Sequence, residues 1–350
     1  MASIDDVARA AGVSTATVSR ALSGRGRLSD ATRARVRAAA ASLGYVVSAA
    51  ASSLASGRAE NIGVVVPLMD RWFFGAVLDG IAAQLAPRGY DMTLYNLTAD
   101  PAQRARLFAS SLRRRRVDGV IVLSVELTDA EVAALQELAL PVVGLGVPRS
   151  ELPSLRVDDT AVGRAATEHL LALGHRDIAH IGQRLAAESP ADPELDIPTR
   201  RGRGFAQAMR DAAAAGTAVD PRFETADFTI EGGRLAAHRL LAGPHPPTAI
   251  FAASDEMAYG VLTAARELGL SVPRDLSVIG VDGHDMAELF GLTTIDQFPH
   301  AQGERAGAAI LATLDGAATV DGESLDAAAV PPASLPFELV VRSTTAAPRA

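Results

Sequence analysis

At 350 residues, 48% hydrophobic and 21% charged, the chain has the composition of a globular protein and more length than one ordinary core accommodates, so two or three folding units are expected. It contains no cysteine, and all 33 basic residues are arginine. Disulfide frameworks, thiolate nucleophiles, Cys-ligated zinc, lysine-bearing P-loops and Schiff-base chemistry are therefore excluded. The net charge of −8 is unevenly spread: residues 1–60 carry eight arginines against four acids, and the rest carry 25 against 37. A basic N-terminal module on an acidic body suits a DNA grip whose body does not cling to phosphate.

In chain order, Ile4, Val7, Ala8 and Ala11 recur at helical spacing, with Ser3 placed to cap and Gly12 to terminate. Ser14 caps a second predicted helix, Thr15 to Ser23, with Val18 and Leu22 inward. Ser29 caps a third that buries Val36 and Leu43 and closes at Gly44. Two short helices across a Gly-containing turn, braced by a third, form a helix-turn-helix. Its second helix enters the major groove, presenting Thr15, Ala16, Thr17, Ser19 and Arg20. Most of these are small; Arg20 supplies one fork able to bond a guanine edge. Residues 45–60, YVVSAAASSLASGRAE, have too few apolar side chains to fold alone and read as a linker.

From Asn61 onward, short β-rich runs alternate with helical ones. Strands are predicted at 62–66, 92–95, 117–123, 142–145, 178–181, 249–252, 277–281, 292–295 and 337–341. The first of these begin one βαβ unit apart, which argues for doubly wound parallel sheets, and their number fits two lobes better than one. Ligands of such sheets bind beyond the strand carboxyl ends, where Asp70, Arg71, Trp72 and Phe73 form the first crest; an aromatic face beside a carboxylate suits a sugar ring. Three arginines, 200, 201 and 203, offer either a phosphate receptor or a solvated loop. Arg113–Arg116 reads as a solvated helix C-terminus. His169, His175 and His180 lack metal-ligand spacing, and Gly144-x-Gly146 is a turn rather than a dinucleotide fingerprint.

The stretch IDDVARAAGVSTATVSRALSGRGRLSDATRARVRAAAASLGY resembles the opening of the lactose-repressor (LacI/GalR) family almost position by position. VDGVIVL, ATEHLLALGHRDIAHIG, ASDEMAYGVLTAARELGLSVPRDLSVIGVD, LTTIDQ and LVVRSTT extend the resemblance to the end of the chain. It implies a helix-turn-helix domain over 1–45, a hinge over 46–60, a two-lobed domain of periplasmic-binding-protein type with three crossovers over 61–342, and a tail over 343–350. It further implies that Thr15 and Ala16 select sequence, that Thr17, Ser19 and Arg20 hold phosphates and a base edge, that Arg33 approaches the backbone, and that Leu54 wedges into the minor groove. Carried over position by position, the effector contacts are Asp70, Trp72, Phe73, Ser124, Arg201, Asp255 and Asp282. Val47, Ser48 and Ser52 depart from the usual hinge text, and the stretch Gln183–Thr199 is longer and richer in Pro and acids than usual.

The expectation is a cytoplasmic, homodimeric regulator, more often a repressor in this family. It would bind a palindromic DNA operator and be controlled by a small carbohydrate-like effector, with no cofactor, metal or membrane partner. The alternatives are a solute-binding protein, opposed by the helix-turn-helix and by an N-terminus without a secretory h-region, and an enzyme on the same fold, for which no nucleophile–base spacing is found.

Overall fold

The computed structural model describes residues 2–22, 28–45, 58–98, 100–114, 116–147, 149, 151–183, 197–316, 319–320, 323–324 and 333–349. By packing, the chain divides into one unit built from residues 1–61 and another from the bulk of 62–350. Among the described residues no helix is long and apolar enough to cross a membrane.

In the first unit Ser3 and Asp6 form a reciprocal capping box at the start of α1 (Ile4–Ala11), and Gly12 ends it in the left-handed region at φ 63°. The Ser14 hydroxyl accepts from the amide of Thr17 at the head of α2 (Thr15–Leu22). Ser29 does the same for Thr32 at α3 (Asp30–Ser42). Val7, Ala8, Ala11, Val18, Ala21, Val36 and Ala40 make the core, with Ile4, Leu22 and Tyr45 packed on its edge. Leu43, expected inside, is 39% exposed. It is the C-cap of α3, where the backbone leaves the helix, and Ala40 takes the inner position.

The second unit alternates strand and helix. The N-lobe holds β1 (Asn61–Val66), α4 (Trp72–Leu85), β2 (Asp91–Asn96), α5 (Pro101–Arg106), β3 (Gly119–Leu123), α6 (Asp129–Gln136), β4 (Val142–Leu145) and β5 (Ser154–Val157). The C-lobe follows with α7 (Asp159–Ala172), β6 (Asp177–Gly182), α8 (Ile197–Ala214), β7 (Asp220–Thr225), α9 (Ile230–Leu241), β8 (Ala249–Ala252), α10 (Asp255–Glu267), β9 (Ser277–Asp282) and β10 (Thr293–Asp296). The chain then returns through α11 (Pro299–Leu314), a short hairpin of β11 (Thr319–Val320) and β12 (Glu323–Ser324), and β13 (Ala333–Leu335), before ending on β14 (Glu338–Val340). Sheet order is β13-β5-β4-β3-β1-β2 in one lobe and β14-β10-β9-β8-β6-β7 in the other. The chain crosses between lobes three times, after β5, β10 and β13. The neighbours in β13-β5-β4-β3-β1 and in β10-β9-β8-β6-β7 pair in parallel, whereas β14 runs antiparallel to β10.

Paired glycines set the helix spacing. A β-carbon on Gly80 would lie 2.0 Å from the carbonyl of His300, and one on Gly303 2.0 Å from that of Val77, so α4 and α11 touch backbone to backbone. Gly233 and Gly260 do the same for α9 and α10. Between α7 and α8, Gly163 abuts the Arg201 carbonyl and Gly204 that of Thr160, which brings Arg201 to the head of α7. The histidines of the C-lobe are structural. His175 bonds Thr248, Ser277 and the carbonyl of Ala346, and His169 bonds Thr345, so both anchor the C-terminal tail.

Candidate functional site

In the first unit, α2 presents Ala16 and Arg20 exposed, with Thr15, Thr17 and Ser19 half-exposed. The Arg20 Nε donates to the carbonyl of Ala16 at 3.1 Å, which lays the guanidinium along the N-terminal half of the helix. Arg33 is half-buried on α3. Leu54, together with Val47, Ser48 and Ser52, lies outside the described residues.

In the second unit a cavity of 190 Å³ opens between the lobes at the carboxyl ends of their strands, as doubly wound sheets dictate. Phe73, Phe74, Ser124 and Gly146 face it from the N-lobe, and Asp159, Arg201, Phe228, Glu256, Asp282 and Gln297 from the C-lobe side. Ser124 and Asp282, each at the end of a strand, hold φ of 41° and 133°, conformations that non-glycine residues seldom adopt.

Arg201 organises the polar half and is 5% exposed. Its Nε donates to Asp159 Oδ1 at 2.9 Å, Nη1 to the Ala253 carbonyl at 2.5 Å and Nη2 to Gln297 Oε1 at 3.2 Å. Asp282 Oδ1 lies 3.8 Å from Nη1 and accepts from Gln297 Nε2 at 3.0 Å. Burial pushes the carboxyls of Asp159 and Asp282 up, and Arg201 pulls both back. For Asp159 the direct contact decides. A guanidinium cannot shed its proton, so a neutral Asp159 would leave a buried cation uncompensated.

Four of the seven expected effector contacts, Phe73, Ser124, Arg201 and Asp282, line this cavity; three do not. Asp70 turns to solvent in an ion pair with Arg71. Trp72 stands at the rim, stacked on His284 with ring centroids 4.3 Å apart, and its Nε1 donates to Asp285 Oδ2 at 3.1 Å. The indole thus ties one lobe to the other. Asp255 is fully buried: Thr294 donates to one carboxylate oxygen at 2.7 Å and the amide of His284 to the other at 2.8 Å. It fixes the loop that meets Trp72. Burial pushes its carboxyl up to about 6 against those bonds. Of the three arginines, Arg201 is hydrogen-bonded within the protein, and Arg200 Nη2 lies 3.9 Å from Asp159 Oδ2.

Asp159, Phe228, Glu256 and Gln297 went unassigned from sequence. Asp159 and Phe228 follow β5 and β7, two strands too short or too polar for the sequence to show a crest there. Glu256 and Gln297 follow recognised strands and were within reach of the rule that ligands gather at strand carboxyl ends.

A helix-turn-helix on the same chain as a two-lobed α/β unit with a buried polar cleft defines the class: a one-component transcription regulator. Residues 3–48 match the bacterial regulatory proteins of the lacI family, and residues 167–345 match the periplasmic binding protein-like domain. The chain is 33% identical over 351 residues to the HTH-type transcriptional repressor CytR of Escherichia coli strain K12, covering 99% of this chain and 97% of that one. Its structure is similar to that of the lac repressor dimer bound to operator and the anti-inducer ONPF, with TM-score 0.81 and 26% identity, and 99% of each chain covered. It is also similar to the CelR–cellobiose complex, with TM-score 0.66 and 28% identity, covering 98% of this chain and all of that one. The chain belongs to the lacI family of bacterial transcriptional regulators.

Proposed function

We propose that this protein is a homodimeric repressor that binds a palindromic operator through Thr15, Ala16, Thr17, Ser19, Arg20 and Arg33, and whose DNA affinity is set by a carbohydrate-like effector held between the lobes. The observation that carries the reading is the interlobe cavity, in which Arg201, Asp159, Gln297 and Asp282 converge beside Phe73 and Phe228. Convergent polar groups against an apolar wall are the mark of a small-molecule site. Contacts from both lobes mean that a ligand there favours closure. An effector changes DNA affinity only through its unequal affinity for the two states, so closure and DNA binding are linked. The names of the similar proteins, a repressor and a regulator–cellobiose complex, support the same reading. So does an exposed apolar group on the C-lobe, Met286, Leu289 and Phe290, which suits a surface covered by a second copy.

Because Trp72 is the only tryptophan and bridges the lobes, its emission reports closure. Titrating the full chain with free sugars and nucleosides should give a saturable change with one compound. Arg201→Ala should abolish it while DNA binding persists. A response that survives Arg201→Ala would remove Arg201 from the effector site.

A further inference from the structure

We infer that the cleft selects an uncharged, hydroxyl-bearing ring and rejects its phosphorylated or carboxylated forms, because Asp159 and Glu256 already occupy the positions an anionic ligand would take. The inference rests on the effector-cleft reading above.

Each cationic feature of the cleft is met from within. The guanidinium of Arg201 is held by Asp159, which also lies 3.9 Å from Arg200. Arg71 pairs with Asp70, lies 3.4 Å from Glu256 Oε1 and donates to the carbonyl of Phe228 at 3.2 Å. The amino end of α4 has no cap from its own N-cap residue, and an uncapped helix start attracts anions. Here Glu256, whose Oε1 lies 3.4 Å from Arg71 Nη1 across the cleft, faces it, and the Trp72 amide favours the charged form of its carboxyl. Of the other helix starts around the cavity, Asp158 caps α7 and Ser254 caps α10, and α11 begins on Pro299, which has no amide hydrogen to offer. The two lining guanidinium groups, of Arg201 and Arg71, are thus already faced by the lining carboxyls of Asp159 and Glu256. A phosphate entering this set meets like charge without a free cation to offset it. Hydroxyls are accommodated, since a carboxylate has about four acceptor positions and the internal bonds of Asp282 and Glu256 leave room for O–H donors.

Inorganic phosphate, against sodium chloride at equal ionic strength, tests this without knowledge of the effector. Trp72 emission and the thermal midpoint of the wild-type chain should show no saturable response. Asp159→Asn, which releases Arg201 and Arg200, and Glu256→Gln, which releases Arg71 and the start of α4, should each gain phosphate binding at least about tenfold tighter than wild type. Glu256 is only partly buried, so its variant keeps the test available if Asp159→Asn does not fold. Saturable phosphate binding by the wild type, or no gain in a folded variant, overturns the inference, as does tighter binding of ribose 5-phosphate than of ribose. Failure of the effector-cleft reading has a different signature: DNA affinity unmoved by every neutral compound, whatever the phosphate result.

Discussion

His180 sits wholly inside the C-lobe, its ring stacked on Phe251 at 4.4 Å and flanked by Phe205 and Phe223. Nδ1 donates to the Phe251 carbonyl, and Nε2 has no partner among the described residues. Burial lowers its pKa to about 4, so the folded protein holds it neutral where the unfolded chain would take up a proton. Its contribution is complete above about pH 6.5 and is lost as pH falls toward about 4, a cost of about 3 kcal/mol across that window. Urea unfolding at successive pH values should show this loss in the wild type and a flatter profile in His180→Phe. Equal slopes would show that other groups carry the acid sensitivity. On α2, the Nε bond to the Ala16 carbonyl holds the guanidinium of Arg20 along the N-terminal half of the helix. Arg20→Ala should weaken binding to the cognate operator by about 1–3 kcal/mol in an anisotropy titration, and unchanged binding would remove that role.

At the scale of the element, helix contact rests on glycine. A β-carbon on Gly260 would fall 2.0 Å from the Ile230 carbonyl and 2.5 Å from the Arg234 amide, so α9 and α10 must part to admit it. Gly260→Ala should cost about 1–3 kcal/mol in urea, despite alanine's better helix propensity. Gly269→Ala, at a position with open space but φ of 72°, should cost about 1–2 kcal/mol through backbone strain alone. Elements with strong local signals were legible in the sequence: the serine caps and Gly12 of the helix-turn-helix, and the apolar runs of β1, β3, β4, β8 and β9. Ser154–Val157 is four residues with an arginine, and Asp220–Thr225 carries a proline and two acids on a sheet edge. Neither shows the pattern of a buried strand, because an edge or very short strand needs little of one. The strand carboxyl ends organise the site, so each missed strand concealed a cleft residue, Asp159 in one case and Phe228 in the other. Trp72 stands outside the cavity lining for another reason. Its neighbours in the chain do not reveal that His284 and Asp285, more than 200 positions away, would claim its ring and its N–H.

At the scale of the whole molecule, binding of a palindrome requires two copies. Leu289 is 78% exposed beside Met286 and Phe290, an arrangement costly to leave in water and suited to burial against an identical face. Leu289→Glu with Phe290→Glu should shift sedimentation toward the monomer and weaken operator binding, while leaving the folded spectrum intact. An unchanged dimer would place the interface elsewhere. Two helix-turn-helix units on a two-fold axis read inverted half-sites. The most direct test is selection of duplex DNA from a random-sequence pool by the full-length wild-type chain. The recovered sequences should converge on an inverted repeat, and its affinity should change when the compound that alters Trp72 emission is added but not in Arg201→Ala. Failure to enrich any sequence, or an enriched site whose affinity ignores that compound, would contradict the reading of this chain as an effector-controlled regulator.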